Sequence, residues 1–205
     1  MKDFSIIMAL VDFIPVVLFA VAAIVLQRDL YNVMSKGAFA LFAAGTINVI
    51  VAGAAKATYK LLYAMQLCDF KTLDNIFFPL QSVGFLLAGI GMVAMLRGEK
   101  KTTLRSVAPI PFLGTPIFVT CMVFGVLLID VCLSILASKL QKKLLIGVFV
   151  LSFLLELTMG YLSSRDFTQA AINWCVQGIN IGSQGLFLVG AMRLSKAGME
   201  KLFEE

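Results

Sequence analysis

Four carboxamides stand in one apolar stretch of this chain. Asn173, Gln177, Asn180 and Gln184 recur at steps of four, three and four within Ala171–Arg193. At about 100° per residue they fall within an arc of roughly 60° on one helix face. Hydrocarbon offers an amide no partner, so such a stripe must turn toward a polar solute, a hydrated path or polar groups on a neighbouring helix. On the opposite side lie Ala171, Cys175, Gly178, Gly182 and Gly185, all small. Glycines let backbones approach closely, within one bundle or between copies. The stretch is therefore expected to form the centre of a bundle, with helices on both faces.

Two acids could supply charge to such a site. Glu156 and Asp130 each sit inside an apolar block. An acid at membrane depth costs about 2.5–3.5 kcal/mol on insertion scales, so it faces a bundle interior and is functional or paired. Lys56 is the natural counter-charge; its plainer reading is a side chain that snorkels to the interface beside Tyr59 and Lys60. These three are the candidates for ion or proton coupling. Gln81, on a separate span, and Trp174, one residue off the stripe, join the four amides as candidate solute-binding residues. Trp174 also fits the interfacial aromatic belt, and Asp12 fits a span end.

Other chemistries find little to use. The chain has no histidine, and its four cysteines form no CxxC pair, which leaves no metal ligand set and no cofactor to expect. Cys121 and Cys132 share a helix face about three turns apart, too far for a disulfide. There is no serine–base pair and no repeated-aspartate motif, so an enzyme is not expected. The net charge of +5 comes from basic residues at span ends, without the basic–aromatic interleaving of a nucleic-acid groove. The Asn-Pro-Ala boxes of aquaporins and the proline-flanked cysteine pairs of thiol-relay membrane proteins are absent.

The elements that would position these groups are long apolar blocks. Of 205 residues, 60% are hydrophobic and 14% charged, against nearer half and a quarter in soluble domains. Mean hydropathy is +0.95. The reading is an all-α, polytopic membrane protein of six transmembrane helices, one membrane domain over residues 1–205. The spans fall near Ile6–Val25, Gly37–Gln66, Ile76–Leu96, Ile117–Leu136, Leu144–Leu162 and Ala171–Arg193. Pro15 is expected to kink the first. The second exceeds the hydrocarbon thickness and should tilt or project. Residues 97–116, rich in Lys, Arg and Pro, are expected to be a loop with extended character.

Ser82-Val-Gly-Phe-Leu-Leu-Ala-Gly and Ser183-Gln-Gly-Leu-Phe-Leu-Val-Gly match in the third and sixth spans, and Lys36 and Lys143 open the second and fifth. With alternating spans, halves 5–96 and 116–193 would be inverted three-helix repeats, an architecture with its site at the repeat interface. Both termini would then share one side of a cell membrane. Lysine and arginine tip that side only slightly toward the cytoplasm.

The function expected is a small transporter or channel-like protein for a small polar or weakly charged solute. The alternative is a binding subunit or scaffold that captures solute, lipid or a partner. Membrane lipid is an expected partner, and a second copy could pack through the glycine-rich faces.

Overall fold

In the computed structural model, which describes residues 5–98, 115–162 and 170–203, every element is helical. The Ser5 hydroxyl accepts from the Met8 N–H at 3.2 Å and starts α1, Ile6–Val11. The helix breaks at Asp12 and resumes as α2, Phe13–Leu30. Pro15 explains the break, because it has no N–H for the carbonyl four residues back and its ring crowds that carbonyl. Ser35 caps α3, Lys36–Ala64, the longest helix. A short α4, Lys71–Asn75, leads into α5, Phe77–Leu96, with Pro79 in its first turn, where its missing N–H costs nothing.

Helix α6 spans Thr115–Lys139. It ends with Gln141 at φ 57°, the Gln141 N–H donating to Ser138 O and the Lys142 N–H to Ala137 O. This Schellman turn satisfies the last carbonyls and reverses the chain into α7, Lys143–Leu162. Helix α8, Ala170–Lys196, is followed by a 3₁₀ turn over Met199–Phe203.

Among the described residues four segments are long and apolar enough to cross a membrane: Ile6–Leu30, Lys36–Ala64, Lys71–Leu96 and Ile117–Lys139. They suggest a membrane protein. The long helices close a ring, in which α2 packs on α3, α3 on α5, α5 on α6, α6 on α7, α7 on α8, and α8 returns to α2.

Contacts along these pairs fix the helix directions. Gln27 bonds Thr46 at 2.7 Å while Asp12 pairs with Lys60, so α2 and α3 are antiparallel. Gly45 meets Ala88 and Gly91 meets Ala38, so α3 and α5 are antiparallel too. Ser82 donates to Phe118 O at 2.7 Å, Gly125 meets Phe85 and Leu86, and Gly89 meets Leu128. Residue numbers rise together along that seam, so α5 and α6 run parallel. Ser152 pairs with Ser183 and Phe149 with Gly190, which makes α7 and α8 antiparallel. Phe19 stacks on Phe187 and Arg28 reaches Ser195, which makes α2 and α8 parallel.

Two expectations are corrected here. The long helices do not alternate in direction throughout, so the halves run the same way around the ring and are not inverted. The described chain enters the ring at the Asp12 end and leaves it at the Arg28–Ser195 end, so its first and last long helices do not place those ends together. Charge at links cannot reveal this, because assigning links to sides assumes alternation. Residues 99–114, most of the expected extended loop, lie outside the described residues, as do Ser164–Gln169 of the expected last turn.

A third correction concerns α8. Its amide face points inward, but of its small-residue strip Gly182 meets Leu155 of α7 while Gly178, Gly185 and Cys175 pack on no neighbouring helix. Gly178 and Gly185 would give a Cβ nothing within 4 Å, and Cys175 is exposed. The tight seams lie elsewhere. A Cβ on Gly45 would fall 2.5 Å from Gly84 O, and one on Gly125 would fall 2.5 Å from the Phe85 carbonyl carbon.

Gly125→Val should therefore lower the melting temperature of the purified protein, losing about 1–3 kcal/mol or more to overpacking. Gly147→Val, at a position with nothing within 4 Å, should leave the melt nearly unchanged. Equal melts for the two variants would contradict the close α5–α6 seam.

Candidate functional site

Inside the ring is a cavity of about 170 Å³ to which all six long helices contribute. It occupies one half of the bundle. Its residues come from the first half of α2 (Pro15, Val16, Phe19), the second half of α3 (Gly53 to Lys60) and the matching levels of the others. The other half is filled by Leu26, Leu30, Met92, Leu133, Leu136 and Leu194, all buried. Between the two halves lie four rings. Phe19 stacks on Phe187 with centroids 5.9 Å apart, Phe85 meets Phe19 edge-on at 5.8 Å, and Phe149 meets Phe187 edge-on at 6.4 Å. Offset and edge-to-face contacts are the favoured geometries of such rings, and Phe19 and Phe85 carry this cluster to the cavity wall.

Helix α8 delivers the amides. Gln177, Asn180 and Gln184 line the cavity, and Gln81 of α5 joins them from across the ring. Gln177 and Gln184 are only 5% and 8% exposed. Asn173, nearest the start of the helix, is not among the lining residues, and Trp174 lies 44% exposed on the outer side.

Glu156 of α7 stands against this face. The Gln184 amide donates to Glu156 Oε1 at 2.8 Å, and the Ser183 hydroxyl lies 3.4 Å from the same oxygen. Ser183 and Ser152 bond across α7 and α8, each hydroxyl 3.0 Å from the other's carbonyl oxygen, which fixes the register that brings Glu156 to Gln184. Among the described residues Glu156 is in no ion pair; the pairs there are Arg28–Asp29, Lys60–Asp12 and Lys71–Asp69.

Lys56 and Lys60 occupy the mouth. The Lys56 ammonium sits 3.8 Å from the Phe77 ring centroid and 5.5 Å from that of Phe78. A cation over an aromatic face is attracted by the ring quadrupole. Lys60 pairs with Asp12, both side chains mostly buried. Lys56 thus lines the cavity, and Asp12 is a wall residue with a partner.

Asp130 is placed differently. It is 5% exposed, one turn beyond Val126 on the inward face of α6, and is not a lining residue. Its Oδ1 has no hydrogen-bond partner among the described residues. Gln81 Oε1, Gln184 Oε1 and Gln177 Nε2 share that condition. A buried polar atom without a partner costs about 1–3 kcal/mol. Three of these four belong to residues of one cavity wall, which has room for polar contents.

The phenylalanine wall is what the sequence reading missed. Phe19, Phe77, Phe78, Phe85 and Phe153 all line the cavity. With 17 phenylalanines in an apolar chain, no spacing singles these out. The Asp12–Lys60 pair was equally hidden, since it joins residues far apart in sequence. No group of potential metal ligands occurs among the described residues.

No family model, curated protein or solved structure matches this chain.

In a variant lacking the four native cysteines and held in lipid vesicles, Asn180→Cys should react with a sulfonated maleimide. Met92→Cys, placed where the native side chain is fully buried, should not. Equal reactivity would contradict a cavity confined to one half of the bundle.

Proposed function

We propose that this chain is a small membrane carrier that binds a small polar or weakly charged solute in the central cavity. The observation that carries the reading is the wall itself. Three amides from α8, one from α5 and the Glu156 carboxylate converge on a cavity of about 170 Å³ in a chain with four segments apolar enough to span. Polar groups at such depth are costly and mark substrate paths.

In this reading α7 and α8 cross the membrane with the other four long helices. Their polar residues are tolerated because they face the cavity. The halves Ile6–Leu96 and Thr115–Lys196 are parallel repeats related by a two-fold axis along the membrane normal. Matching contacts support this. Gly84 lies against Gly45 and Val49 in the first half, while Ser183 lies against Ser152 and Glu156 in the second. Gly91 meets Phe42, and Gly190 meets Phe149. The lipid-facing small strip of α8 would seat a second copy.

The orientation follows from charge. Arg28, Lys36, Arg97, Lys139, Lys142, Lys143, Arg193 and Lys196 all lie at the end of the ring where α2 and α8 finish. Among the described residues the opposite end holds Lys56, Lys60 and Lys71, with Asp12, Asp69 and Asp74 near them. The positive-inside rule puts the basic end in the cytoplasm. The cavity then lies in the outer half of the membrane, with Phe19 and Phe85 beneath it. Glu156 is the coupling carboxylate. Asp130, buried past the cavity on α6, is a second acid on the way to the cytoplasmic side.

Proteoliposomes carrying the chain should admit at least one of glycerol, ethanolamine or glycolate faster than protein-free vesicles in an osmotic swelling assay. Glu156→Gln and Asn180→Leu should each slow that entry tenfold or more. Entry no faster than the protein-free control for all three solutes would sink the carrier reading. An N-terminal tag should be accessible from outside intact cells and a C-terminal tag only after permeabilisation; both tags on one side would refute the orientation.

A further inference from the structure

We infer that the solute class of the cavity is a small protonated amine, seated with its ammonium against Glu156. The inference rests on the cavity being a solute site and goes further by naming the chemistry it selects.

Glu156 is the first reason. Its contacts in the structure are the neutral Gln184 amide and Ser183 hydroxyl, and among the described residues no cation pairs with it. A carboxylate deep in a membrane bundle is most favourably matched by an opposite charge. The basic side chains of the wall are at the mouth and are engaged there, Lys60 with Asp12 and Lys56 over Phe77.

The second reason is independent of charge. Gln81 Oε1 and Gln184 Oε1 are buried acceptors without a donor among the described residues. An ammonium carries three N–H donors, enough for Glu156 and both amide oxygens. The unpartnered donor, Gln177 Nε2, belongs to a side chain 5% exposed and suits one acceptor on the same solute, such as a hydroxyl.

The third reason is the rings. Phenylalanine faces attract cations, and Lys56 already shows one seated over Phe77 in this cavity. An anion would meet Glu156 and the negative faces of these rings together. A neutral polyol would satisfy the amides but gain nothing from the carboxylate or the rings.

The test is equilibrium binding by the purified full chain, read as ligand-dependent thermal stabilisation at matched ionic strength. The probes are ethanolamine hydrochloride, ethylene glycol and sodium glycolate. Ethanolamine should bind at least tenfold more tightly than either of the others. Glu156→Gln should weaken it at least tenfold, and Val150→Ala, on the outer face of α7, should leave it unchanged. Should Glu156→Gln fail to fold, Gln81→Leu should still weaken ethanolamine severalfold. Glycolate or ethylene glycol binding as well as ethanolamine overturns the inference, as does ethanolamine binding untouched by the wall variants or no binding at all. Selective amine binding without vesicle entry would leave this inference standing and remove the carrier reading. Entry of glycolate or glycerol without amine binding would do the reverse.

Discussion

The fold depends on the cost of placing polar side chains where water cannot reach them. Helix α8 carries Asn173, Gln177, Asn180 and Gln184 in a stretch too apolar to stay in water and too polar for its amide face to meet lipid. One rotational setting resolves the conflict, with the amides inward. That setting brings Gln184 to Glu156 and Ser183 to Ser152. Each contact satisfies a group that would otherwise be stranded on α7, so α7 and α8 hold each other in register. The apolar work of holding the bundle is done on the other side, where α3, α5 and α6 approach backbone to backbone through Gly45, Gly84, Gly89 and Gly125.

These two kinds of seam have different consequences. The glycine seams are dense and leave no room for side chains to rearrange, which suits a rigid scaffold. The α7–α8 seam is built from a few hydrogen bonds beside a cavity, and Gln177 Nε2 and Gln184 Oε1 on it lack partners among the described residues. Rigid helices next to an under-satisfied polar wall are what a solute site requires: the wall has free bonding capacity, and the scaffold holds that capacity in place. The unpartnered amide ends and Asp130 are thus where stability has been given up, as functional sites commonly show.

Much of this was legible in the residues. The four-three-four spacing of amides placed Gln177, Asn180 and Gln184 on one face, and helix periodicity alone sufficed for that. Glu156 stood out because an acid inside an apolar block needs a reason. The broken first helix followed from Pro15, though the break falls at Asp12 rather than at the proline, since the clash is with the carbonyl four residues earlier. What could not be read were relations between distant segments. Asp12 looked like a span end because nothing local announces Lys60. The small strip of α8 looked like a second packing face because glycine spacing is the same whether the neighbour is the same chain or lipid. The direction of α6 was misjudged for a related reason: alternation is a default about short links, and residues 97–114 are the one link long enough to escape it.

That reversal bears on the proposed mechanism more than any single residue does. In an inverted repeat the two halves exchange roles when the site switches sides, so outward and inward states are near-equivalent by symmetry. With parallel halves no such equivalence exists, and the two faces of the site must be built from different residues. The ring here has that asymmetry. One side of the site is polar and charged, with Lys56, Lys60 and Asp12, and the other is closed by Phe19 and Phe85, beyond which lies a buried aliphatic core. Opening toward the basic end would require parting Phe19 from Phe187. These rings sit on α2 and α8, where the two halves meet. A motion that hinges on the dense α5–α6 seam and opens the α2–α8 seam would part Phe19 from Phe187 while leaving the α7–α8 seam within its own half, so Glu156 and Gln184 would stay bonded through the transition. The acid would then keep its amide partner throughout, while the residues flanking the way in and the way out would differ.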